Sequence, residues 1–222
     1  MVKRQIKRSP NELKYMVDLG SLYDKLEEPS KAKQQYDKAI KKLQPNQSQI
    51  TNLAKAFVAA SKNQRALETY QKGQKLMRGG YPFTFEVAEL YGTMGDFDAM
   101  ISEYLSLLET NAGYIQSVQN SLARVMTFEE PNPQNEELRV QLLKRVQKNP
   151  DNTIYSEMLI WLFLQQKDFN AAYIQTKALD KRLHEDGQRL MNLAKLCRNN
   201  KEYSVANKAY QTVIDKLSLI HI

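Results

Sequence analysis

Few residues of this 222-residue chain have the type and spacing that chemistry needs. His184 and His221 have no second histidine or cysteine at metal-ligand spacing, so no metal site is expected. Cys197 is the lone cysteine, so no internal disulfide can form, and it reads as a small core hydrophobe rather than a nucleophile. Gly92-Thr93-Met94-Gly95 fits neither glycine fingerprint for holding phosphates. Glu129-Glu130 and Glu136-Glu137 are acidic pairs flanking a loop. Adjacent carboxylates in water have little reason to shift their pKa values, which makes them poor acid–base candidates. The chain therefore reads as a non-enzyme that needs no cofactor.

The elements that would position these residues follow one period. Tyr23, Phe57 and Tyr91 are spaced by 34 residues, as are Tyr36, Tyr70 and Tyr104. Phe163 and Cys197 keep the same stride, and so do Thr176 and Tyr210. A fixed period of this size is the mark of stacked helical repeats. Units begin at Leu13, Gln47, Tyr81, Ile115, Thr153 and Gly187. The fourth is longer by four residues, which fall in the Phe128–Gln134 segment, where Pro131 and Pro133 mark a loop.

Each unit reads as two helices. Met16, Leu19, Gly20 and Tyr23 share one face of the first, and Ala32, Tyr36, Ala39 and Ile40 share one face of the second. Pro29 marks the turn between them, Gly95 is expected in a left-handed conformation at the equivalent turn, and Asn149-Pro150-Asp151-Asn152 separates the fourth and fifth units. Ser9-Pro10-Asn11-Glu12 has the pattern of a capping box that starts the first helix. Small residues recur at Gly20, Ala54, Ala88 and Ala194, and at Ala32, Ala66, Ala172 and Ala206, where helix backbones can approach while a ring fills the neighbouring hole. Burying each such ring is worth roughly 1.5–3 kcal/mol.

Charge is uneven along the chain. Residues 1–50 carry a net +5, residues 51–180 a net −2, and residues 181–222 a net +4. Lys3, Arg4, Lys7 and Arg8 form a basic N-terminal arm, read as a solvated end of the fold. Ser9-Pro10-Asn11-Glu12 follows where a signal peptide would need an apolar stretch, and the most apolar run, Met158–Leu164, is far short of a membrane span. The chain alone is expected to be soluble and cytoplasmic, or periplasmic or exported if a leader precedes it.

Leu19-Gly20…Tyr23…Ala32…Tyr36…Ala39 resembles the tetratricopeptide repeat. Leu53-Ala54…Phe57…Ala66…Tyr70…Gly73 repeats the likeness, as do Tyr91…Gly95-Asp96-Phe97…Tyr104, Phe163…Asp168-Phe169…Ala172 and Leu193-Ala194…Tyr203…Ala206…Tyr210. The fourth unit keeps little beyond Leu138, Leu142 and Pro150, and the family's early tryptophan is replaced throughout. The resemblance covers residues 13–216. It implies an all-α, right-handed superhelical solenoid of about six antiparallel helix pairs, with units 13–46, 47–80, 81–114, 115–152 (degenerate), 153–186 and 187–216. Residues 1–12 would be the basic arm and helix start. Residues 217–222 form a tail that is either native or foreign to the gene. With no polar capping helix in view, the chain is expected to be a fragment of a longer array, similar to bacterial multi-repeat proteins.

The resemblance further implies a non-catalytic scaffold that binds a partner peptide or protein segment in a concave groove lined by the first helix of each unit. Carried onto this sequence, the groove candidates are Asn52, Lys55, Glu86, Glu89, Glu157, Trp161, Asn192 and Lys195. That surface would suit an extended peptide of mixed charge. Trp161 is expected to pack in the core, because Met158–Leu164 is apolar on all sides; were it exposed, it would be a strong binding anchor. The clamp with which some relatives capture chaperone C-terminal carboxylates needs Lys and Asn at two positions. These hold Val17, Thr51, Phe85, Glu157 and Met191, and Ser21, Lys55, Glu89, Trp161 and Lys195, so chaperone tails are not expected to bind. Two rivals stand beside the scaffold: an RNA-binding α-repeat, disfavoured by the 34-residue step and the acidic middle, and the regulatory array of an enzyme whose catalytic part lies outside the chain.

Overall fold

The computed structural model describes residues 2–128 and 132–220, and side chains as far as Leu217. Glu129, Glu130, Pro131 and His221 of the sequence reading lie outside the described residues. The described chain is all-α and divides into two compact units, Met1–Asp96 and Phe97–Ile222. The division falls between the two helices of the third repeat.

The N-terminal unit contains α1 (Val2–Arg8), α2 (Lys14–Lys25), α3 (Pro29–Lys41), α4 (Gln47–Ala59), α5 (Asn63–Met77) and α6 (Thr84–Met94). Helices α2 and α3 form one close pair and α4 and α5 the next, while α2 also packs on α4. The small-residue positions explain how closely. A Cβ added to Gly20 would stand 2.7 Å from Tyr36 Cδ1, and one on Gly73 would stand 2.6 Å from Ile50 Cγ2. Each ring crosses to the next repeat: Tyr36 meets Phe57 edge-on at 5.5 Å, and Tyr70 meets Phe83 at 5.5 Å. The Tyr36 hydroxyl donates to Asp24 Oδ2 at 2.8 Å, and Lys62 Nζ of the following turn lies 2.7 Å from the same oxygen. That ammonium holds the Asp24 carboxyl below its ordinary range.

The turn within five of the six units is built one way. The N–H of Glu28, Lys62, Asp96, Asp168 and Glu202 donates to the carbonyl of Tyr23, Phe57, Tyr91, Phe163 and Cys197, at 2.8–3.0 Å. These acceptors are the residues of the recurring aromatic series. The residue before each donor is left-handed: Glu27 at φ 59°, Ser61 at 57°, Gly95 at 78°, Lys167 at 57° and Lys201 at 64°. This is the Schellman closure of a helix C-terminus. Gly95 behaves as its sequence predicts; the other four reach the same conformation without glycine.

The C-terminal unit contains α7 (Phe97–Thr110), a 3₁₀ turn (Ala112–Tyr114), α8 (Ile115–Val125), α9 (Pro133–Lys148), α10 (Ile154–Gln165), α11 (Phe169–Arg182), α12 (Gln188–Asn199) and α13 (Tyr203–Ile220). Close pairs recur at α10–α11 and α12–α13. The degenerate fourth unit departs from this. Its helices form, but among the described residues α9 packs on α7 and α10, while α8 packs on α10. Gln141 explains the shift: its side-chain amide donates to Asp98 Oδ1 at 2.6 Å and pins α9 to the start of α7. Pro133 takes the first position of α9, with Asn132 capping it.

Two ends differ from expectation. Val2–Arg8 is helical, with Ile6 against the core, and the Ser9–Glu12 capping box does not form. Glu12 N–H instead bonds the Ser9 carbonyl in a turn, and α2 starts at Lys14 with no side-chain cap. At the other end the last helix runs past Lys216 to Ile220, since Leu217 to Ile220 contains no glycine or proline to stop it.

Candidate partner-binding groove

Helix α10 has two apolar faces. Ile154, Tyr155, Met158, Leu159 and Leu162 are buried. Glu157, Ile160, Trp161 and Leu164, again three and four residues apart, form the opposite half-buried face. That second face is one wall of a depression of about 350 Å³. Ile115 and Gln119 of α8 form another wall, and Arg189, Asn192, Leu193 and Leu196 of α12 a third. These are the first helices of the fourth, fifth and sixth units. Trp161 is therefore not a core residue. With apolar neighbours on every side, α10 has no polar face to phase it, which is why the sequence does not reveal which ring stays open to solvent. Phe128 packs edge-on against Trp161 at 5.4 Å.

The charges at this lip satisfy one another. Arg189 lies 3.2 Å from Glu157 Oε1 and 2.8 Å from Glu185 Oε2. The two carboxylates, Glu185 first, hold its guanidinium above its usual pKa. Asn192 accepts from the Gln188 side chain at 3.0 Å. Thr176 of α11 also lines the depression; it is 3% exposed, and its hydroxyl has no hydrogen-bond partner.

Of the eight sequence candidates, Glu157, Trp161 and Asn192 come together here. Lys195 is exposed on α12 but outside the lining. The other four belong to the N-terminal unit. Asn52 lines a polar hollow with Asn11, Glu12, Gln44 and Gln49, whereas Lys55 is exposed on α4 outside that lining. Glu86 accepts from the Tyr81 hydroxyl at 3.0 Å, and Glu89 is exposed one turn later on α6. Ile160, Leu164, Arg189 and Leu196 are lining residues that the sequence reading missed. The 3–4 spacing around Glu157 and Trp161 was the signal that could have found the first two.

Cys197 is fully buried, and burial pushes its thiol up, as suits a core residue. Among the described residues no group of His, Cys, Asp or Glu is arranged to hold a metal, and no helix is long and apolar enough to cross a membrane.

No curated protein matches the chain significantly. A crystal structure of a tetratricopeptide repeat protein from Parabacteroides merdae aligns over 92% of this chain and 80% of its own, at 14% identity and a TM-score of 0.36, a likeness too loose to add to the case. Residues 13–41 match the model of the tetratricopeptide repeat family. That match spans α2 and α3, and the turn it contains recurs in the second, third, fifth and sixth units. The chain thus contains a tetratricopeptide repeat at residues 13–41.

Proposed function

We propose that this protein is a scaffold that holds a segment of a partner protein in the groove formed by α8, α10 and α12. Tetratricopeptide repeats generally mediate protein–protein contact and are typically non-catalytic. The observation that supports this particular groove is Trp161, a half-buried ring on a concave wall beside Ile160 and Leu164. Aromatic residues in partly desolvated concave sites supply a large share of binding energy. Two hollows of the N-terminal unit are lined mostly by polar, charged and alanine side chains, and no ring lines either of them.

Site-specific photo-crosslinking tests the proposal. A photoreactive residue at Asn192, inside the groove, is expected to capture a partner that the same residue at exposed Lys181, outside the groove lining, does not. Equal capture from both positions contradicts it.

A further inference from the structure

Resting on that groove reading, we infer that its occupant is an uncharged segment anchored by one bulky apolar side chain against Trp161. A mixed-charge peptide, which the positions alone suggested, does not suit this groove.

Charge is the first argument. The two acidic groups at the lip share one basic group, Arg189, so an acidic anchor would have to break an existing pair to gain one, and a basic anchor would compete with Arg189 for carboxylates already engaged. Desolvating a charge without a counter-charge is costly. Lys195, exposed on α12, lies outside the lining. The second argument is the walls. Ile115, Ile160, Trp161, Leu164, Leu193 and Leu196 surround the depression on three sides, and Leu196 is 38% exposed although it faces other apolar groups. Covering such surface yields roughly 25 cal/mol per Å². The space of about 350 Å³ lies at the small end of the range for binding pockets, room for a large side chain with its flanking backbone. The third is Thr176. A buried hydroxyl without a partner is uncommon, and this one belongs to a residue of the groove lining. A backbone amide of the occupant that reached this oxygen would satisfy it.

Selection from a phage-displayed library of random dodecapeptides, fused through their C-termini so that no terminal carboxylate is free, tests the inference. Selected peptides are then titrated as amidated synthetic copies. Trp161 is the chain's single tryptophan, so its fluorescence reports occupancy directly. Groove binding is defined by Leu196→Lys and, as a second variant of an exposed residue, Asn192→Arg, both checked for unchanged helical melting. The expected result is groove-dependent peptides that share one Leu, Ile, Met, Phe or Trp, whose replacement by Asp weakens binding about tenfold or more. Their affinity should change by only about twofold between low and moderate salt, since no ion pair forms. Groove-dependent peptides that share a charged anchor and lose affinity steeply with salt would overturn this inference and leave the groove reading standing. Peptides insensitive to both groove variants would overturn both.

Discussion

At the scale of single residues, the ring positions set the packing, and one of them also sets a pH limit. Tyr70 is buried, and burial, aided by the nearby Glu86 and Glu89 carboxylates, pushes its phenol up to about 12. An unfolded tyrosine titrates near 10, so the fold favours the neutral phenol. That stabilisation is complete below about pH 10 and is lost as pH rises through about 12, a loss of roughly 2–3 kcal/mol. Tyr70→Phe cannot titrate. Its urea midpoint should therefore fall less between about pH 10 and pH 12 than the parent's, and parallel curves would refute the assignment. The recurrence of Tyr36 and Tyr70 was legible in the sequence because a large ring needs a small residue opposite, and both left a 34-residue trace. Trp161 left none. It stands in a helix that is apolar all round, and only the neighbouring helices decide which of its faces is covered.

At the scale of elements, the repeated turn carries the fold's regularity. A non-glycine residue in the left-handed region costs roughly 1–2 kcal/mol, against about 0.5–1 kcal/mol for the extra freedom glycine gains when unfolded. Lys201→Gly should therefore raise stability by a few tenths to about 1 kcal/mol, and Gly95→Ala, where an added Cβ meets open space, should lower it by about 1 kcal/mol through the backbone alone. Thermal melting checks both; a lower midpoint for Lys201→Gly would mean that the turn is not strained there. The sequence showed only the Gly95 turn, since Glu27, Ser61, Lys167 and Lys201 carry no conformational signature. The hydrogen bond back to the ring residue imposes their geometry. The short helix α1 was hidden for a related reason: most of its residues are charged or polar, and Ile6 is the side chain that packs against the core.

At the scale of the whole molecule, stability in stacked repeats is carried by neighbours. Gly20→Ala forces a Cβ against the Tyr36 ring, which also packs edge-on against Phe57, and should cost about 1–3 kcal/mol. Hydrogen exchange should quicken most in α2 to α5 and little in α10 to α13, because the chain divides into separate compact units with their own cores. Uniform quickening would contradict that division. The central claim is that a partner covers the α8–α10–α12 groove, and acrylamide quenching of Trp161 fluorescence measures this directly. With the partner recovered by crosslinking added to saturation, the account predicts a clear drop in quenching relative to the free protein. Saturating binding that leaves the quenching of Trp161 unchanged would contradict it.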